Sequence, residues 1–128
     1  MKNDITKLNE AFKAFSRLPS QEAYNSFMFS FFMYAKEDGT VHVPIEINND
    51  GQFVYGLAPT TDGYYYVVCT NADQLNRCPE KNSVIIKLDR IIALAARDTE
   101  IGGICVNPYS ESPCFIPREY LECILRGE

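Results

Sequence analysis

The middle of the chain, residues 41–70, alternates between strand-like apolar runs and strong turn sequences, and this pattern limits the fold more than any other feature. Residues 41–47 (VHVPIEI) alternate apolar and polar side chains, which is the period of a half-buried strand. The turns NNDG and TTDG enclose a returning strand, QFVYGLAP. The run YYYVVCT at 64–70 is apolar on both faces, which is typical of a central strand. We therefore predict a three-stranded antiparallel meander, in which Pro44 indicates a sheet edge or a bulge.

Two helices are predicted before the meander. The first has Asp4 as its N-cap and an apolar stripe at helical spacing. The stripe consists of Ile5, Leu8, Phe12 and Phe15. The second helix begins after an N-cap at Ser20, because Pro19 disfavours helical geometry in the residue before it, and it runs to about Lys36. Its later half is apolar nearly all round, so we expect the core or a second copy of the chain to cover more than one side of it.

After the meander, the pattern changes from hairpins to strands that alternate with helices. Residues 71–76 (NADQLN) indicate a short capped helix. Residues 83–98 indicate a strand followed by a helix, with one continuous helix as the alternative. A further strand is predicted at 102–106, and a last helix has Pro117 in its first turn and Gly127 beyond its end.

The predicted fold is therefore a single α+β (mixed α/β) domain over residues 1–128. A mixed sheet of about five strands is formed by the antiparallel meander and the strand–helix–strand units that follow it. Two N-terminal helices and one C-terminal helix pack on this sheet. A chain of this length is long enough to bury a core, and no repeat or linker divides it.

The charge and the apolar pattern argue against several partners. The net charge is -5 and the pI is about 4.9, without the basic stripe that neutralises phosphates. We therefore expect no nucleic-acid partner and no binding to an anionic membrane surface. The longest apolar run, residues 27–35, is much shorter than the ~20 residues of a membrane span. Because the polar N-terminus lacks the apolar segment of a secretory signal, we predict a cytoplasmic protein.

The cysteines indicate free thiols. The chain has five, an odd number that argues against a disulfide framework. Neighbouring cysteines are at least nine positions apart, whereas zinc sites gather ligands in close pairs. We expect no metal and no cofactor, and we expect Cys69 and Cys105, inside strand-like runs, to be buried as small apolar side chains.

The ends of the strands at Thr70, Lys87 and Val106 provide the candidate binding residues. If these strands are parallel neighbours joined by right-handed crossovers, their carboxyl ends share one edge, where open α/β sheets bind ligands. The predicted binding residues at this edge are Thr70, Asn71, Asn107, Pro108 and Tyr109. Their hydroxyl and amide groups bind well but are poor general acids or bases. The alternative for Asn107 is a structural role, in which its amide satisfies the backbone of its own Asn-Pro turn.

Catalytic groups are sparse. A cysteine or serine nucleophile needs a base within reach, and the single histidine, His42, lies on the polar face of the first strand together with Glu46. We therefore predict that the protein is not an enzyme but a protein-interaction module, binding a protein partner or itself as a homodimer through the loops at the strand ends. Two alternatives stay open. One is a small-molecule sensor or carrier at the same edge, and the other is a thiol-dependent enzyme using Cys69 or Cys105 with His42.

Two motifs resemble those of the SseB-like family, which is named after the enhanced serine sensitivity protein. The first is a strand that runs into VCTN at 68–71, and the second is a Gly-hydrophobic-Asn-Pro segment, GICVNP at 103–108, before the last helix. Cys69 stands where the family has an aromatic residue, and Asn71 where it has a small hydroxyl residue. The resemblance covers residues 41–125. It implies a mixed α/β fold like that of the family's N-terminal domain, and it implies no particular reaction.

Overall fold

A computed structural model of the chain describes residues 5–126, in which five helices and seven strands form a mixed α+β domain, as predicted. The elements are, in chain order, α1 (Ile5–Arg17), α2 (Gln21–Lys36), β1 (Thr40–Ile47), β2 (Phe53–Tyr55), β3 (Leu57–Thr60), β4 (Gly63–Val68), α3 (Ala72–Asn76), β5 (Asn82–Lys87), α4 (Leu88–Arg97), β6 (Ile101–Val106), β7 (Cys114–Pro117) and α5 (Arg118–Arg126). The predicted N-cap at Asp4 and the predicted helix terminator Gly127 lie outside the described residues.

Helices α1 and α2 pack against each other through aromatic side chains. The rings of Phe12 and Phe27 meet edge to face, with centroids 5.8 Å apart. Ser20 caps α2 as predicted, and its hydroxyl oxygen accepts a 3.0 Å hydrogen bond from a backbone N–H in the first turn. Phe27 and Phe31 are fully buried, whereas Phe29, on the opposite side of the helix, is 68% exposed. Of the helices in residues 5–126, none combines the length and the apolar character that crossing a membrane requires.

The strands form two sheets. The first has the order β2-β1-β5 and is antiparallel throughout. The second has the order β3-β4-β6-β7, in which β4 and β6 are parallel and the other pairs are antiparallel. An isolated bridge connects the sheets, since His42 and Cys69 each donate a backbone N–H to the carbonyl of the other, at 3.0 and 2.8 Å.

The prediction of one five-stranded sheet with a continuous meander is wrong, because the returning strand breaks at Gly56. Residues before the break pair with β1, and residues after it pair with β4. The N–H of Gly56 donates to the carbonyl of Pro44 at 2.8 Å, and a side chain there would crowd the Glu80 carboxylate. The chain therefore passes from one sheet to the other at this residue.

The second half of the chain follows the prediction except near its last helix. Strand β5 leads directly into α4, so the strand–helix prediction is confirmed against a continuous helix. Pro117 is not in the first turn of the last helix, because it is the final residue of β7 and α5 begins one residue later. Strand β7 lies close to β6 at Gly103, whose φ of 149° and absent side chain leave room for the carbonyl of Ile116.

The core has a large and a small part. The large cluster lies among the helices and the inner faces of both sheets, and it includes Tyr66 and Val68 of the central strand β4. The alternate residue Val67, together with Cys69, belongs to the small cluster. This small cluster consists of Ala58, Val67, Cys69, Cys78 and Cys105. Both faces of β4 are therefore buried in its second half, residues 66–68, as its sequence predicts.

Candidate functional site

The strand ends at Thr70 and Asn107 meet, as the parallel arrangement of their strands predicts. Val68 of β4 lies beside Val106 of β6, so the chain leaves both strands at the same edge. The N–H of Thr70 donates to Oδ1 of Asn107, and Nδ2 of Asn107 donates to Oγ1 of Thr70, both at 3.0 Å. Lys87 is not at this edge, because β5 belongs to the other sheet and runs antiparallel to β1.

Asn107 holds the turn after β6 together. Its φ of 53° lies in the left-handed region, which asparagine tolerates better than most side chains. Its N–H donates to the carbonyl of Val68 at 2.8 Å, and its carbonyl accepts from both N–H and Oγ of Ser110. Thr70 and Asn107 are only 3% and 1% exposed, so their polar groups are directed at each other and at their own backbone. This geometry favours the structural role for Asn107.

Asn71 connects the same edge to helices α1 and α3. As the N-cap of α3, its Oδ1 accepts the N–H of Gln74 at 2.9 Å, while its Nδ2 donates to Oδ1 of Asn9 at 3.1 Å. Asn9 in turn donates to the carbonyl of Thr70 at 3.2 Å. Of the predicted binding residues, Tyr109 has the most exposed side chain, at 48%. Ligand binding by the five predicted residues stays a prediction.

A groove with a volume of about 500 Å³ lies beside this edge, between α1, α3 and the loop after β6. We call it the edge groove. Lys13, Arg17 and Arg77 line it, together with Asp73 and Glu111. The groove therefore offers charges of both signs to solvent beside its apolar surface.

The three cysteines of the small core cluster are shielded from solvent. Sγ of Cys69 lies 3.6 Å from Sγ of Cys78, and all the cysteines of the chain are free. Burial raises the pKa of the Cys69 thiol well above its ordinary range, and it raises the pKa of Cys105 to about 12. An activated cysteine needs the opposite shift, because the thiolate is the nucleophile. Within residues 5–126, no group of three or more histidine, cysteine or acidic side chains is arranged to hold a metal ion.

A second groove, which the sequence analysis did not identify, opens between the two sheets at the end where β2 and β3 lie. We call it the aromatic groove, and its volume is about 480 Å³. Its lining residues are Phe53, Val54, Tyr55, Leu57, Tyr64, Tyr66, Leu94, Asp98, Glu100 and Ile101. Phe53, Val54, Leu57 and Tyr64 are between 39% and 53% exposed, although each is a large apolar or aromatic side chain.

Successive edge-to-face contacts connect the outer part of the aromatic groove to the core. The ring centroids of Phe53 and Tyr55 are 5.5 Å apart, and those of Tyr55 and Tyr66 are 6.0 Å apart. The hydroxyl of Tyr66 donates to Oδ2 of Asp98 at 2.9 Å. Burial, together with this carboxylate, raises the pKa of Tyr66 to about 12. The aromatic groove is thus continuous with the core through these rings.

Comparisons with known proteins leave this geometry as the main guide to function. The chain matches no protein-family model, no curated protein and no solved structure. The resemblance to the SseB-like family therefore stays a prediction.

Proposed function

We propose that the protein is a non-catalytic protein-interaction module and that it contacts its partner through the aromatic groove. The observation that carries the proposal is the exposure of large apolar side chains around one groove, contributed by Phe53, Val54, Leu57 and Tyr64. Exposed apolar groups that lie together on a soluble domain mark interaction sites, and aromatic anchors dominate the energy of interfaces.

The amount of apolar surface indicates a reversible complex. Burying a fully exposed large apolar side chain contributes ~1.5–3 kcal/mol, so the four half-exposed ones contribute about 3–6 kcal/mol together. Association itself costs about 4–15 kcal/mol in lost translational and rotational freedom. The apolar contacts therefore offset only the low end of the cost of association, and net affinity has to come from polar or charged contacts at the rim of the groove.

The thiols support a non-catalytic role and a reducing compartment. Cys69 and Cys105 are fully buried, and their raised pKa values keep them protonated at neutral pH, which disfavours a thiol-dependent enzyme. All the cysteines are free, which is typical of the cytoplasm. We also propose that the protein is cytoplasmic and that it is related to the SseB-like family.

Site-specific photo-crosslinking in cells tests the interaction surface. A photoreactive phenylalanine analogue at position 53 should crosslink to a distinct protein, and the same analogue at position 29 is the matched control. Phe29 is also an exposed phenylalanine, but it lies on α2 and does not line the aromatic groove. With the purified crosslinked partner, Phe53→Ser should raise Kd about tenfold or more and Phe29→Ser should leave it unchanged.

Two results would contradict the proposal: identical crosslinks from positions 53 and 29, or a Kd that Phe53→Ser does not change. If the crosslinked protein is a second copy of this chain, the partner is the chain itself, and sedimentation velocity should show a dimer that Phe53→Ser dissociates.

A small-molecule sensor or carrier at the edge groove is the second candidate, and one observation favours it. Oε1 of Gln74 is buried and has no hydrogen-bond partner among the described residues, and Gln74 lines the edge groove. A ligand N–H or O–H would supply the missing donor. In a thermal-shift screen of small polar molecules, a ligand at about 100 times its Kd should stabilise the protein by about 2.7 kcal/mol, and Gln74→Leu should abolish this shift. This candidate is excluded if no molecule in the screen stabilises the protein, or if the shift is still seen in Gln74→Leu.

A further inference from the structure

We infer that the partner segment in the aromatic groove is a short peptide that presents a large apolar side chain next to lysine or arginine. This inference rests on the proposed function and specifies the chemistry of its partner. It follows from the charges at the rim of the aromatic groove, from the exposed aromatic rings and from the size of the opening.

The rim of the aromatic groove carries negative charge at a defined position. Asp98 and Glu100 line it, and the lining includes no lysine or arginine among the described residues. The carboxylate of Asp98 is held by two hydrogen bonds, from the hydroxyl of Tyr66 at 2.9 Å and from the N–H of Glu100 at 3.0 Å. Both donors are neutral groups, and the described residues that line the groove place no cation beside Asp98. A cation on the partner is the group that would complement it.

The turns that precede β2 and β4 carry further negative charge. Asp50 lies in the turn that joins β1 to β2, and Asp62 lies in the turn that joins β3 to β4. Both residues are exposed, and both turns lead into strands that line the aromatic groove. Together with the net charge of -5, they favour the approach of a basic segment and oppose an acidic one.

The exposed rings of Phe53 and Tyr64 favour the same combination of groups. An aromatic ring face attracts a lysine or arginine cation as well as an apolar group, and the attraction contributes about 0.5–1 kcal/mol at an exposed site. Tyr66, at the floor of the groove, is only 8% exposed, so this part of the groove suits an apolar side chain rather than a charged one. We therefore place the apolar anchor of the peptide against Tyr55 and Tyr66 and its cation at the acidic rim.

The size of the aromatic groove indicates a peptide segment rather than the flat surface of a folded domain. A volume of about 480 Å³ lies in the range of small-ligand pockets, which is room for very few side chains. A partner protein would therefore insert one anchor and one neighbouring cation, and the rest of it would lie outside the groove.

Fluorescence anisotropy with a set of matched peptides tests the inference. The basic apolar peptide contains leucine and phenylalanine flanked by lysine and arginine. A second peptide replaces every lysine and arginine by glutamate, and a third replaces leucine and phenylalanine by serine. We expect the first to bind about tenfold or more tightly than either of the others, with an affinity that falls as salt is raised.

Protein variants then locate the binding. Phe53→Ser should weaken binding of the basic apolar peptide about tenfold. Glu100→Arg should weaken its binding similarly and should strengthen binding of the acidic peptide. Glu119→Arg is the matched control, because Glu119 is an exposed glutamate on α5 outside the aromatic groove, and it should change neither affinity. Amide chemical shifts in a 15N-labelled sample should move at residues 53–66 when the basic apolar peptide is added.

The outcomes separate the inference from the proposed function. If apolar peptides bind regardless of charge and Phe53→Ser abolishes this binding, the inference is overturned and the interaction module stands. If no peptide binds, or if Glu119→Arg weakens binding as much as Glu100→Arg, the inference is overturned, and the crosslinks from position 53 decide the proposed function separately.

Discussion

Replacing Asn107 by alanine should strongly destabilise the fold, although no described strand or helix includes this residue. Its side chain makes two buried 3.0 Å hydrogen bonds with Thr70, one to the backbone N–H and one to the hydroxyl. Its backbone has a φ of 53°, which asparagine and glycine adopt more readily than alanine. The substitution therefore leaves the N–H and the hydroxyl of Thr70 without their Asn107 partners, and it adds backbone strain at position 107.

The size of the effect follows from these two contributions. A buried N–H without a partner costs about 1–3 kcal/mol, and Thr70 is 3% exposed, so water has little access to replace the lost acceptor. Left-handed backbone costs alanine about 1–2 kcal/mol. We expect a total loss of about 2–5 kcal/mol, which is a large fraction of the roughly 5–15 kcal/mol that stabilises a typical domain.

Urea denaturation of a short series of variants measures both contributions. Asn107→Gly loses the same hydrogen bonds, but glycine adopts a positive φ without strain. It should therefore be about 1 kcal/mol more stable than Asn107→Ala. Thr70→Val removes only the hydroxyl and should cost about 1–2 kcal/mol, which gives a measurement even if Asn107→Ala does not fold. An Asn107→Ala variant within about 0.5 kcal/mol of the unmodified protein would refute the hydrogen-bond reasoning. A glycine variant no more stable than the alanine variant would refute the backbone argument.

Further predictions concern the β6–β7 contact, the thiols and the pH dependence. Gly103→Ala should cost more than about 3 kcal/mol in urea denaturation, because the new methyl group overlaps a backbone carbonyl of β7. Gly63→Ala should cost less, because its methyl group meets no neighbouring atom and only the strain of its φ of 127° remains. In the native protein a thiol reagent should modify Cys123 first, since it alone among the cysteines is not buried, and equal labelling of all five would contradict this. Because Tyr66 titrates near 12 when folded and near 10.0 when unfolded, stability should fall as pH rises from 10.0 to 12, and Tyr66→Phe should reduce the fall; an unchanged slope would show that Tyr66 does not titrate in this way.

The sequence predicted those parts of the fold in which local pattern and topology agree. The run 64–70 is apolar on both faces, and it contains most of the inner strand β4, whose residues 66–68 are buried on both faces. The placement of Asn107 beside Thr70 followed from the rule that parallel strands end at the same edge. Neither prediction required a knowledge of tertiary contacts.

The split at Gly56 and strand β7 could not be predicted in the same way. The alternation of residues 52–59 is the same whether the run pairs with one neighbour or divides between two sheets, because the period reports the faces of a strand and not its partner. Strand β7 is four residues long and contains a proline, so its pattern is too short to distinguish from a loop. Its existence depends on close contact with Gly103, which only the assembled sheet provides.

The candidate sites follow the same division. Residue types predicted polar groups at the strand ends, but whether Asn107 binds a ligand or its own turn depends on distances that are not in the sequence. The exposure of Phe53 also depends on context, since a phenylalanine in an alternating strand is buried wherever a second layer covers it. The sequence could therefore name the edge but not the aromatic groove.

The break at Gly56 also explains why the aromatic groove suits an inserted side chain. In a continuous meander Tyr55 and Tyr66 would be neighbours within one sheet, whereas here their rings meet across the space between two sheets. That space is filled by the core along most of its length and ends open at Phe53 and Tyr64. Helix α4 stops at Arg97, and the chain that follows it supplies acidic side chains rather than another apolar layer. An apolar side chain from a partner would therefore extend the core into the groove, and a lysine or arginine of the same partner would contact the acidic side chains at the rim.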